Sequence, residues 1–405
     1  MQKLIIKGKK KLSGSITISG SKNATLPILA ASILTNKKII LKNVPLVEDV
    51  YTMINLLKFI GVNIETSKKK NVLTISNNKK LKTVAPYNLL KTMRAGVLVL
   101  GPLLAKYKKA KVSLPGGCAI GARPVNLHLF ALEKLGAKIK IKDGYIYASA
   151  KKGLRGSIIK FPSISVGATE NAILAAVNAI GKTVISNCAI EPEIQDMILF
   201  LKKIGCNINF IGKRKILIIG VSEFKDAIHD VIFDRIELGT YLIAAALIGK
   251  KIILKRIKPE IIASEIKILK KMGIRMKIEK NEITVHESKK IKNISIKTEA
   301  YPGFPTDLQA QIMVLMSKAT GTSKVKENIF ENRFMHVPEL RRMGAKIKTQ
   351  KNIATISGPT NLSGAEVMAT DLRASVSLVL AALVASNKTI INRVYHLDRG
   401  YENLE

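Results

Sequence analysis

The sequence predicts an α/β protein of two pseudo-threefold domains, each holding three strand–helix–strand–helix–strand–strand units. Three observations carry this expectation. The chain has 405 residues, more than one hydrophobic core usually supports, and 47% of them are hydrophobic, enough for two cores. Five segments share one pattern, an amphipathic helix end, a glycine, then alternating apolar residues: 56–62, 132–137, 201–206, 269–274 and 340–345. A second pattern, a short turn opening an Ala/Leu-rich helix, recurs six times.

The first pattern fixes the period. Its glycines, Gly61, Gly136, Gly205, Gly273 and Gly344, are spaced by 75, 69, 68 and 71 residues. Each fits the position just past a helix end, where a left-handed residue closes the last turn. A period near 70 is longer than a solenoid repeat, so each unit is a small folding module. The second pattern places helices at 21–35, 92–105, 166–179, 234–248, 305–318 and 369–386. A β-like stretch follows each, as at 39–42, 111–114 and 183–186. A sixth copy of the glycine is expected near residue 414, about 70 beyond Gly344. The last repeat is therefore expected to be shortened, its sheet left with an open edge.

Composition narrows the function. The longest uncharged apolar runs, 95–105 and 376–386, are 11 residues each, whereas a membrane span needs about 18 or more. No signal-peptide pattern opens the chain. Three cysteines, Cys118, Cys188 and Cys206, make no disulfide framework, and no Cys/His spacing suits a metal. A cytoplasmic protein is expected. The 67 basic and 29 acidic residues give a net charge of +38, which taken alone points to an anionic partner. The lysines are scattered through every segment together with excess Ile and Asn. Such a mixture fits a compositional bias and an anionic small substrate better than nucleic acid, whose binding proteins cluster their basic residues.

Three features carry chemistry. Residues 115–124 place three glycines within six residues around Cys118, with Arg123 five residues on. A thiol beside cations is reactive, and glycine-rich loops carry lids and sites; the plain alternative, a small buried hydrophobe, suits Cys188 and Cys206. Gly20-Ser21-Lys22-Asn23 opens the first repeated helix, where a lysine and free N–H groups suit phosphate or carboxylate. Arg94, Asp307, Arg333, Asp371, Arg373 and Arg399 occupy matching ends of other repeats. Two readings stand for these: helix caps and surface pairs, or a set converging on a multiply anionic substrate. His336 reads as structural.

Six strings, residues 20–24, 91–95, 114–124, 304–311, 330–337 and 369–374, together resemble the UDP-N-acetylglucosamine 1-carboxyvinyltransferase family, and the similarity runs from Met1 to residues 398–402. The resemblance implies an inside-out α/β barrel: two domains of three βαβαββ units, with the active site between them. It makes them discontinuous, 20–230 forming one and 1–19 with 231–405 the other. It implies transfer of enolpyruvate from phosphoenolpyruvate to the sugar 3′-hydroxyl with release of phosphate, the first committed step of peptidoglycan precursor synthesis, with no metal or organic cofactor. Cys118 matches the family's proton donor, with a part in product release as the alternative. Asp307 matches the residue beside the sugar hydroxyl. Lys22, Arg94, Arg123 and Arg399 match holders of phosphate and carboxylate groups, and Asn23 a substrate contact. Arg123, Pro124, Val125, Asn126 and Leu127, then Ser163, Ile164, Ser165 and Val166, and Ile329, match uridine and diphosphate contacts. Arg333, Asp371 and Arg373 complete the substrate-binding set. Two departures concern nucleotide affinity: Asn126 stands where the family usually carries Asp, and Ser163 where some members carry Lys. The retained Cys118 implies covalent inhibition by fosfomycin. Three other readings compete: the sister transferase of the shikimate pathway, a non-enzymatic basic binding protein, and a decaying enzyme.

Overall fold

The computed structural model describes residues 2–77, 79–116, 125–402 and 404. They fall into two compact units, one of residues 20–116 and 125–232, the other of 2–19 and 233–402. Each is α/β with mixed sheets.

Six helices, α1 (Lys22–Ala31), α2 (Leu100–Tyr107), α3 (Val166–Ala176), α4 (Arg235–Ile248), α5 (Gln309–Ser317) and α6 (Leu372–Val384), occupy the six repeated helical segments. They are apolar on nearly every side and correspondingly buried; in α3 every residue from Ala168 to Ala176 is inside. In the second unit α4, α5 and α6 pack on one another. In the first, α2 packs on α3, and α1 packs on the short 3-10 helix Arg94–Val99. The expected helix over 92–105 is thus two pieces. Pro102 lacks an N–H, which costs nothing in a first turn, and it stands third in the α-helical part that begins at Leu100.

Amphipathic outer helices end where the spacing predicts. All five repeat glycines have positive φ, from 86° at Gly273 to 114° at Gly61, a conformation that costs a residue with a side chain. At Gly61 the amide closes the helix Glu48–Ile60 onto the carbonyls of Leu57 and Lys58.

Five sheets share one topology: a strand parallel to its neighbour, then two antiparallel strands. In the first unit, Ile158–Lys160 runs parallel to Lys182–Ser186, which pairs antiparallel with Lys215–Ile219, and that with Asn207–Gly212. The first residues of the chain belong to the second unit's sheets. Leu12–Thr17 pairs parallel with Gly249–Lys255, and Lys3–Lys7 pairs antiparallel with Lys388–Asn392. Among the described residues that last sheet has three strands, completed by Glu366–Met368, where each of the others has four. No helix of the described residues is long and apolar enough to cross a membrane.

Candidate active site

In the first unit the site residues gather at helix starts. Ser21 caps α1, its hydroxyl accepting from the Ala24 amide at 3.3 Å, as a short polar side chain does for an orphan helix donor. Gly20 precedes it where the chain crosses the Asn43 carbonyl, which a Cβ would strike. Lys22 follows, buried, its Nζ 2.9 Å from Asp49 Oδ2 on the helix Glu48–Ile60. Asn23 is half-buried beside it. Arg94 opens the 3-10 helix leading into α2. Ser165 caps α3 as Ser21 caps α1, accepting from Ala168 N at 3.3 Å. Ile164 and Val166 on either side of it remain exposed, as does Ser163. Val125 is buried, whereas Asn126, first residue of the helix Asn126–Lys134, is exposed and Leu127 half-buried. Cys118, Arg123 and Pro124 lie outside the described residues.

In the second unit the organising group is the Asp307 carboxylate. Arg333 Nη2 donates to Oδ1 at 2.8 Å and Arg373 Nη2 to Oδ2 at 3.1 Å. Both guanidiniums are buried, and the carboxylate is 30% exposed. Charge-assisted donors on both oxygens fix a carboxylate's plane as well as its charge. Burial opposes the charge on Arg373, but Asp307, then Tyr401 and Asp234, outweigh it and hold its pKa above the usual value. Asp307 therefore is no helix cap, and Arg333 no surface pair; both expectations give way to this cluster of one partly exposed carboxylate and two buried guanidiniums. Asp371 does cap: its Oδ1 accepts from the amides of Arg373 and Ala374 at the start of α6. Glu327, buried, accepts through Oε1 from the Ile329 and Phe330 amides and from Thr298, and through Oε2 from Thr306. It holds the turn that presents Ile329, whose side chain is exposed. Arg399 is half-buried in the turn after Val394–His396. His336 is buried, and burial, opposed in part by Asp371, lowers its imidazole to about 4. It is a neutral core histidine.

The EPSP synthase family (3-phosphoshikimate 1-carboxyvinyltransferase) matches residues 6–405. The UDP-N-acetylglucosamine 1-carboxyvinyltransferase of Pelagibacter ubique (strain HTCC1062) is 62% identical over 405 residues, covering 100% of this chain and 97% of that protein. This chain belongs to the UDP-N-acetylglucosamine 1-carboxyvinyltransferase family. A carboxyvinyltransferase of the same name from Endomicrobium trichonymphae is 50% identical over 405 residues, with 100% and 96% covered. Among solved structures, the enolpyruvyl transferase NikO from Streptomyces tendae has a TM-score of 0.89 at 23% identity, covering 99% of this chain and 95% of that one. EPSP synthase from Acinetobacter baumannii has 0.76 at 18%, covering 98% and 95%. These two likenesses concern the carboxyvinyltransferase fold alone.

Two groups that hold these candidate residues carry no signal in the sequence. Asp49 lies 27 residues from Lys22 beside a second acid, Glu48, and nothing in its spacing marks it as the partner. Glu327 stands three residues before the Phe330 string and reads as an ordinary surface acid until its four donors are seen.

Proposed function

We propose that this chain transfers the enolpyruvyl group of phosphoenolpyruvate to the 3′-hydroxyl of UDP-N-acetylglucosamine and releases inorganic phosphate, the first committed step of peptidoglycan precursor synthesis. The observation that carries the reading is the full-length 62% identity to a carboxyvinyltransferase that names this acceptor. The partly exposed Asp307 carboxylate, held by the buried Arg333 and Arg373, supports it chemically. The finer architecture we assign is the inside-out α/β barrel, three βαβαββ units to a domain.

In the addition step the sugar oxygen bonds to C2 of phosphoenolpyruvate and a proton is delivered to C3, giving a tetrahedral adduct. In the elimination step the C2–O bond to phosphate breaks and C3 loses a proton, giving the enol ether. Cys118 is assigned the delivery of the C3 proton. Asp307 accepts from the 3′-hydroxyl and orients it. Two arginines already occupy its oxygens, so its service is placement of the nucleophile, which converts a bimolecular encounter into an aligned attack. Lys22, Arg94, Arg123 and Arg399 take the phosphate and carboxylate charges; fixed cations aimed at an anionic intermediate are typically the largest catalytic term. Asn23 and Asp371 contact the sugar nucleotide with Arg333 and Arg373. Residues 125–127 and 163–166 and Ile329 receive uridine and diphosphate, where the exposed side chains of Ile164, Val166 and Ile329 and the Ser165-capped start of α3 suit a base and an anion.

Offering shikimate 3-phosphate in place of UDP-N-acetylglucosamine tests the acceptor. Enol-ether product, read by mass, is expected with the nucleotide sugar alone. Product from shikimate 3-phosphate alone would replace this reading with the sister transferase.

A further inference from the structure

Behind Asp307 lies a chain of hydroxyls whose direction the donor inventory settles. Arg373 Nη1 is 3.3 Å from the Tyr401 hydroxyl, and Tyr401 Oη is 2.9 Å from Thr240 Oγ1. Thr240 in turn donates its one hydroxyl proton to the Ile236 carbonyl at 2.8 Å. A guanidinium has only donors, so the Tyr401 oxygen accepts from Arg373. Thr240 has spent its proton, so the Tyr401 proton goes to Thr240. The second lone pair of Thr240 faces Gln311 Nε2 at 3.3 Å, and that same amide nitrogen donates to the Asp307 carbonyl at 2.9 Å. Every hydrogen-bonding position on Thr240 Oγ1 is thereby used. The chain runs one way, Arg373 to Tyr401 to Thr240 to the α4 backbone, with Gln311 tying it to the Asp307 main chain.

We propose that Tyr401 is a positioning residue for the transfer, its hydroxyl holding the Arg373 guanidinium at the angle that orients Asp307. The proposal deepens the reading given under Proposed function and rests on it. Arg373 is gripped at two nitrogens, Nη2 by Asp307 and Nη1 by Tyr401, and its guanidinium carbon lies 5.8 Å from the Tyr401 ring centroid. Remove the hydroxyl, and the ring still packs while one grip is gone. Arg373, Tyr401 and Thr240 are all buried, so no solvent replaces the lost acceptor at full strength. Burial raises the phenol's pKa, which keeps the proton needed for Thr240 on the oxygen.

The test compares the wild-type chain with Tyr401→Phe, Asp307→Asn and the double variant, following phosphate release with both substrates. Tyr401→Phe is expected to lower kcat by roughly ten- to a hundredfold while each KM stays within about threefold. In the Asp307→Asn background the same change should cost under about twofold, because the loss is routed through that carboxylate. A wild-type kcat in Tyr401→Phe, or losses that multiply in the double variant, would overturn the proposal. Should Tyr401→Phe not fold, Thr240→Ser and Thr240→Val decide. Serine, which keeps the acceptor, should retain most of kcat and valine should lose it; equal rates would overturn the proposal. Turnover by the wild type with these failures sinks this inference alone, whereas a folded wild type without turnover sinks the transfer reading and the inference with it.

Discussion

Lys22 donates to Asp49 at 2.9 Å with both side chains buried. A lysine carries about 2 kcal/mol of rotamer entropy, and a partner beneath it holds the ammonium in place before any substrate arrives. Replacing one member of such a pair leaves the other charge desolvated. Asp49→Asn is therefore expected to destabilise the fold by roughly 3 kcal/mol or more. A lower denaturant midpoint at unchanged slope is the expected signature. A midpoint equal to wild type would show that the pair contributes nothing.

Asp307 is expected to matter to rate before it matters to affinity. Asp307→Asn keeps the shape but loses the charge that balances Arg333 and Arg373, and with it the fixed acceptor for the sugar hydroxyl. A fall in kcat of roughly a hundredfold or more follows, together with a lower melting temperature from two buried, less compensated cations. Steady-state kinetics and a thermal melt check both. An unaltered kcat would remove Asp307 from the chemistry.

Glu237 supplies a pH dependence. Burial first, then the charge of Asp234, raises its carboxyl from 4.5 to about 8, against two hydrogen bonds from Ser19. The folded chain thus holds this proton up to about 8, while the unfolded chain loses it near 4.5. Folding is opposed increasingly as pH rises through that window, and the penalty is complete above it. Glu237→Gln removes the titration. Its melting temperature should exceed that of wild type by a margin that grows from pH 5 to pH 8, each ~1 kcal/mol appearing as a few degrees. A margin independent of pH would contradict the assignment.

Thiol chemistry should be confined to one cysteine. Cys188 and Cys206 are buried, and burial pushes their thiols up to about 11 and about 12. A thiol held protonated is a poor nucleophile. Fosfomycin is expected to add once, at Cys118, and Cys118→Ala should abolish the adduct in the intact-mass spectrum. An adduct on either buried cysteine would refute this.

Much of the fold is legible because its signals are local. Gly61 and its four counterparts each announce a helix end from the residues just before them, and all five adopt the left-handed backbone that this position requires. The inner helices are equally plain, since apolar residues on every side admit only a buried site. The cluster around Asp307 is half legible. Asp307, Arg333 and Arg373 lie in recognisable strings, yet Arg333 reads as a surface residue because its burial depends on packing that spacing does not encode. The hydroxyl chain is not legible at all: Thr240 and Tyr401 stand 161 residues apart, and neither residue type is unusual where it stands. The split of residues 94–107 into two helices was likewise hidden, since Pro102 is compatible with a longer helix until its start is known.

The most direct test of the assignment is phosphate release by the purified chain supplied with phosphoenolpyruvate, UDP-N-acetylglucosamine, or both. Release that requires both substrates, stoichiometric with the enol ether and crippled in Cys118→Ala, is the expected result. No release from protein shown by its melting transition to be folded would contradict the account.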